Sequence, residues 1–120
     1  MSLKDRTEVL STPAQVDAFV AKHQSAAVFK AGTCGKTNDA FRHVEAKLGP
    51  REDLPLGLIQ VVEARHASNR VSELTGIRHE SPQLIFFKDG KAVFDRDNWD
   101  ITPEDLDAGL REHFAPALRA

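Results

Sequence analysis

The stretch Ala26-Ala27-Val28-Phe29, followed by Lys30 and then Ala31-Gly32-Thr33-Cys34-Gly35-Lys36-Thr37, decides the architecture of this chain. The apolar run reads as a short buried strand, and the glycines mark the loop in which it turns over into a helix. Ala40, Phe41, Val44 and Leu48 then recur on one helical face, and Gly49-Pro50 stops them. A strand that passes through a tight loop into a helix is half of a β-α-β unit, so a parallel partner strand is expected.

The neighbouring segments supply it. Upstream, Thr12-Pro13-Ala14-Gln15 has the form of a capping box with proline at the first helical position. Val16, Phe19 and Val20 extend it into a helix from Pro13 to about His23, and residues 7–10 add a short edge strand. Downstream, residues 51–55 read as loop and Leu56 to Val62 as an interior strand rich in Leu, Ile and Val. Ser68 to Leu74 reads as a short helix closed by Gly76, with Val71, Leu74 and Ile77 facing inward. After Ser81-Pro82 comes a strand from Gln83 to Lys88, an Asp89-Gly90 hairpin turn and a return strand from Lys91 to Asp95. Thr102-Pro103-Glu104-Asp105 opens a last helix by the device used at Thr12, burying Leu106, Leu110 and Phe114. The order predicts an α/β domain in which a hairpin adds antiparallel strands to one side of a parallel sheet.

With 120 residues, 41% hydrophobic and 28% charged, the chain is expected to form one domain over residues 1–120 with its own core. A net charge of −2 with interspersed signs gives no pull toward nucleic acid or an anionic membrane. The polar opening Met1-Ser2-Leu3-Lys4-Asp5-Arg6 lacks the apolar region of a secretory signal, and no stretch has the length of a membrane span, so a cytoplasmic location is expected. A single cysteine cannot build a disulfide framework.

Cys34 is the candidate for chemistry. Ligands of open α/β sheets collect beyond the carboxyl ends of the strands. A thiol at a helix start meets unpaired N–H groups and the positive end of the dipole, which favour the thiolate, as does neighbouring Lys36. Composition alone favours an inert buried cysteine; an exposed loop of Gly32, Thr33, Gly35 and Lys36 reverses that preference. Gly35-Lys36-Thr37 resembles the end of a phosphate-binding loop, but that motif needs glycine at position 30, where Lys30 stands. Histidines 23, 43, 66, 79 and 113 form no zinc ligand set, and Glu52-Asp53 and Glu104-Asp105 read as loop and helix-start charges. His79 draws notice because it lies three residues before Pro82. Taken alone, Ser81-Pro82 reads as a trans proline opening an edge strand.

The strand–Cys–helix start, the Ser-Pro before a later strand and the hairpin Phe86-Phe87-Lys88-Asp89-Gly90-Lys91 together resemble the thioredoxin superfamily. More narrowly, Val61-Val62-Glu63-Ala64-Arg65, Ser68-Asn69, His79-Glu80-Ser81-Pro82-Gln83 and Asn98-Trp99-Asp100-Ile101-Thr102 resemble the monothiol bacilliredoxin family, over nearly the whole chain. That family typically carries T-C-P-I-S where this chain has Thr33-Cys34-Gly35-Lys36-Thr37. The resemblance implies a thioredoxin-like α/β fold, with a central mixed sheet of four to five strands and helices on both faces. It also implies a cis Ser81-Pro82 bond and a reactive Cys34 that removes bacillithiol from protein mixed disulfides. No cofactor is expected, only bacillithiol as co-substrate.

The expected partners are S-bacillithiolated client proteins, together with a low-molecular-weight thiol or a reductase that resolves the adduct. Cys34 and Thr37 are the expected catalytic pair, with Thr37 donating to the thiolate. Thr33, Gly35, Lys36, Arg65, His79, Glu80, Ser81 and Pro82 are the expected substrate-binding residues, Lys36 and Arg65 being candidates for the carboxylates of bacillithiol. Two other readings stand beside this one. A non-catalytic binding or stress-response module would hold partners at the Pro82 groove. An iron–sulfur carrier is suggested by the similarity of Cys34-Gly35 and a downstream hydroxyl to the C-G-F-S of monothiol glutaredoxins.

Overall fold

A computed structural model describes residues 2–114. Five strands, β1 (Thr7–Val9), β2 (Ser25–Ala31), β3 (Leu56–Gln60), β4 (Gln83–Lys88) and β5 (Lys91–Asp97), form one sheet in the order β1-β3-β2-β4-β5. β1, β3 and β2 run parallel; β4 is antiparallel to β2, and β5 to β4. The helices are α1 (Pro13–Lys22), α2 (Gly35–Leu48), α3 (Arg65–Thr75) and α4 (Pro103–His113), with 3-10 turns at Lys4–Arg6 and Asn98–Asp100.

Alternation along β2 explains the two layers. Ala27 and Phe29 pack with Ala40, Val44 and Leu48 of α2 and Leu106 and Leu110 of α4. Ala26 and Val28 pack on the other face with Val16, Phe19 and Val20 of α1 and Ala67 and Val71 of α3. A strand covered on both faces has no reason to alternate in polarity, which is why its sequence is a continuous apolar run.

The helix boundaries follow their signals. Thr12 Oγ1 accepts from Gln15 N–H at 3.2 Å and Gln15 Oε1 accepts from Thr12 N–H at 3.1 Å, completing the capping box. At Thr102 only half of that device forms: Oγ1 accepts from Asp105 N–H at 3.2 Å. Gly76 ends α3 at φ 72°, a left-handed position that glycine takes without penalty. The far end of α2 is closed from outside. The Arg6 guanidinium donates to the carbonyls of Leu48, Gly49, Arg51 and Leu54 at 3.3, 2.7, 2.7 and 2.7 Å, satisfying acceptors that a helix end leaves open.

Four expectations need correction. The strand expected at Leu56 to Val62 stops at Gln60, because Ala64 N–H turns back onto the Gln60 carbonyl, and Val62 is 64% exposed. The helix expected from Ser68 begins at Arg65, so its buried stripe is Ala67, Ser68 and Val71, and Leu74 falls to the flank at 41% exposure. β2 is longer than its apolar core because Lys30 continues it as a buried residue. β5 continues past Asp95 to Asp97, which pairs with Gln83 beside Pro82.

Candidate functional site

Cys34 is the N-cap of α2, one residue before its first turn, and its side chain is exposed. Thr37 N–H donates to the Cys34 carbonyl at 3.1 Å, which leaves the sulfur without a formal capping bond. Thr37 itself is buried, and its Oγ1 accepts from Gly32 N–H at 3.1 Å while lying 4.0 Å from Cys34 Sγ. With that lone pair engaged by the backbone, the hydroxyl proton is free to point at the sulfur.

The thiol pKa is held below its ordinary value. The largest cause is the backbone N–H of Thr37, acting on the sulfur as a nearby dipole. The Thr37 hydroxyl, the Lys36 N–H and the Lys36 charge add to it, and partial desolvation works the other way. The helix start thus favours a nucleophilic thiolate.

The second wall is the loop before β4. The Ser81-Pro82 peptide bond is cis, and Ser81 Oγ sits against Gly32 where any side chain at that position would collide with it. A Cβ added to Gly32 would also lie 3.4 Å from Thr37 Oγ1. Gly32 is therefore the place where the strand end, the first turn of α2 and the Pro82 loop meet, and the absence of a Cβ there permits the approach. On the far side of the loop, Asn98 N–H donates to the Pro82 carbonyl at 3.0 Å and its Nδ2 donates to Glu80 Oε1 at 3.3 Å. Asn98 adopts φ 51°, and Trp99 beside it is 66% exposed.

The expected site residues fall into four groups. Cys34, Thr37, Ser81 and Pro82 converge around Gly32, with Thr33 and Gly35 exposed and Lys36 half-buried in the same turn. Glu80 faces Asn98, and its Oε2 lies 3.9 Å from Arg78 Nε. Arg65 is exposed as the first residue of α3. His79 turns one nitrogen inward, its Nδ1 lying 3.2 Å from both Lys30 Nζ and Ser68 Oγ. Lys30, Ser68, Asn98 and Trp99 are thus neighbours of this region to which the sequence reading gave no site role. The available signal for Lys30 was a lysine continuing an apolar strand into a glycine loop.

Known proteins share this fold. The family model described as Monothiol bacilliredoxin BrxC matches residues 8–106. A solved protein of thioredoxin fold and suggested oxidoreductase activity is 26% identical and superposes with a TM-score of 0.80, covering 88% of this chain and 95% of its own. Mitochondrial thioredoxin 3 from Saccharomyces cerevisiae, in its oxidised form, is 14% identical at a TM-score of 0.73, with coverage of 92% and 99%. The thioredoxin of Fasciola hepatica is 21% identical at a TM-score of 0.71, with coverage of 88% and 98%. The two thioredoxins establish likeness of fold.

Proposed function

Because this chain belongs to the monothiol bacilliredoxin family, and is thereby a thiol oxidoreductase of thioredoxin fold, we propose that it removes bacillithiol from protein mixed disulfides through Cys34. The observation that carries the reading is an exposed cysteine at a helix N-cap with its pKa held down.

In the first step the Cys34 thiolate attacks the bacillithiol sulfur of the mixed disulfide. The old S–S bond breaks, the client's sulfur leaves as a thiolate that takes a proton from water, and bacillithiol remains on Cys34 in a new disulfide. The chain has no second cysteine, so a separate thiol must attack this adduct. A low-molecular-weight thiol or a reductase does so, releasing Cys34 as thiolate and carrying bacillithiol away in its own disulfide. The Thr37 hydroxyl stabilises Cys34 as attacking and leaving thiolate. The Ser81-Pro82 backbone aligns the incoming disulfide, and exposed Thr33 and Gly35, with half-buried Lys36, form the surface it meets.

Mass spectrometry of the protein exposed to oxidised bacillithiol tests the step, with a mass increase of one bacillithiol on Cys34 as the expected result. Absence of the adduct, under conditions that label a control thiol, refutes the proposal. So does a Cys34→Ser variant that still releases bacillithiol from a client.

A further inference from the structure

Lys30 is fully buried, the only lysine so placed among the described residues. Strand alternation points it to the α3 side of the sheet. There its Nζ lies 3.2 Å from His79 Nδ1 and 3.4 Å from Ser72 Oγ. No carboxylate among the described residues comes within 4.0 Å of it to form an ion pair. An ammonium without a counter-ion is costly in an interior, and an apolar chain of similar length would fill the space without that cost.

The chemistry of the contact is restrictive. An ammonium donates and cannot accept, so the nitrogen facing it must present a lone pair. Where the Lys30 ammonium donates across that contact, His79 is neutral with its proton on Nε2, and Ser68 Oγ, 3.2 Å from the same Nδ1, competes for that lone pair. Burial first, and then the Lys30 charge, hold the His79 pKa below its ordinary value, with Glu80 opposing. His79 as a residue is exposed, two positions before Ser81.

We propose that Lys30 is a positioning residue that locks His79 as an Nε2–H donor at the rim of the Pro82 loop, fixing which polarity of group that rim accepts. The group accepted is a hydrogen-bond acceptor, a carbonyl or carboxylate, on the bound disulfide.

The surroundings leave Lys30 as the controlling charge. β3 offers it Ile59 and β4 offers Gln83, whose Nε2 donates to the Arg78 carbonyl at 3.0 Å. From α3 come Ser68 and Ser72. Asp17 of α1 is held by Arg70, which also takes Glu73, and Glu80 is engaged by Asn98. Burial lowers the Lys30 pKa to about 8. Above that pH the neutral amine can accept as well as donate, and the tautomer is released.

Long-range proton–nitrogen NMR correlations of the histidine rings test the proposal in the unliganded protein. At pH 7 the expected pattern for His79 is a bare Nδ1 and a protonated Nε2, and in Lys30→Met a mixture of tautomers or the reverse. A protonated Nδ1 in the parent protein overturns the proposal whether or not the variant folds, and an unchanged pattern in the variant overturns it equally.

A second arm rests on the proposed exchange reaction. With a bacillithiolated client, His79→Phe and Lys30→Met should each raise KM about fivefold, the worth of one ordinary hydrogen bond, with kcat unchanged. The double variant should be no worse than either single one, and additive losses overturn the link. The spectra need no substrate, so failure of the exchange reading is distinguishable from failure of this one.

Discussion

Replacing Lys30 by methionine should change how stability depends on pH, and the size of the change follows from the burial of the side chain. In the unfolded chain the ammonium titrates near its ordinary value of 10.5, whereas in the fold burial brings it to about 8. Between those values the unfolded chain holds a proton that the folded chain has lost, so this group makes stability rise with pH across that window. At ~1.36 kcal/mol per pH unit the full excursion is about 3 kcal/mol. Urea denaturation of the parent protein and Lys30→Met at intervals from pH 7 to pH 10.5 measures it. The other titrations are common to both proteins and cancel in the difference. The parent should gain about 3 kcal/mol on the variant over the range, a relative midpoint shift on the order of 1–2 M urea. The intercept at pH 7 depends on how well methionine packs and on the lost contacts to Ser72 and His79; the slope does not. Curves that stay parallel, or a parent that loses ground as pH rises, would refute the reasoning.

Thr37→Val removes the acceptor of Gly32 N–H and the hydroxyl facing Cys34; a loss of about 1 kcal/mol in thermal or urea denaturation is expected. A pH series of iodoacetamide alkylation should show the Cys34 thiolate forming at higher pH, with Thr37→Ser close to the parent on both counts. Gly35→Pro should stabilise by about 0.5–1 kcal/mol, measured by urea midpoint. The position is the first of α2, a Cβ there meets nothing within 4 Å, and Cys34 at φ −92°, ψ 168° already has the backbone that a following proline prefers. Gly109→Ala in α4 sets a helix gain of about 1 kcal/mol against overpacking of about 1–3 kcal/mol. The new Cβ would lie 2.6 Å from the ring of Phe94, which is stacked on Phe86 and has the Arg96 guanidinium 4.4 Å from its centroid. A lowered melting temperature is expected, and a raised one would contradict the packing argument.

The elements that the sequence disclosed are those whose signals are local. Proline at a helix start, glycine after a helix end, Asp89-Gly90 between two apolar runs and the continuous run in β2 each leave a mark within a few residues. Cys34 and Thr37 were legible for the same reason, since three residues at a helix start fix their relation. The family resemblance carried the cis Ser81-Pro82 bond, which spacing alone would have read as trans. What stayed hidden depends on partners far along the chain. Lys30 is polar by residue type, and only residues 72 and 79, brought over by α3 and the loop after it, show that it is buried and what it touches. The far end of β3 was misplaced because Val61-Val62 continue the apolar run where the backbone has already turned, and the inward face of α3 because the helix starts three residues earlier, at Arg65.

Trp99 has a practical consequence. The chain contains one tryptophan and no tyrosine, so ultraviolet emission excited in this protein comes from a single indole. That indole is largely open to solvent, and the residue before it is fastened through the main chain to Pro82. The molecule therefore carries its own optical probe beside the loop that faces Cys34, and arrivals at that rim can be timed by stopped-flow fluorescence without attaching a dye.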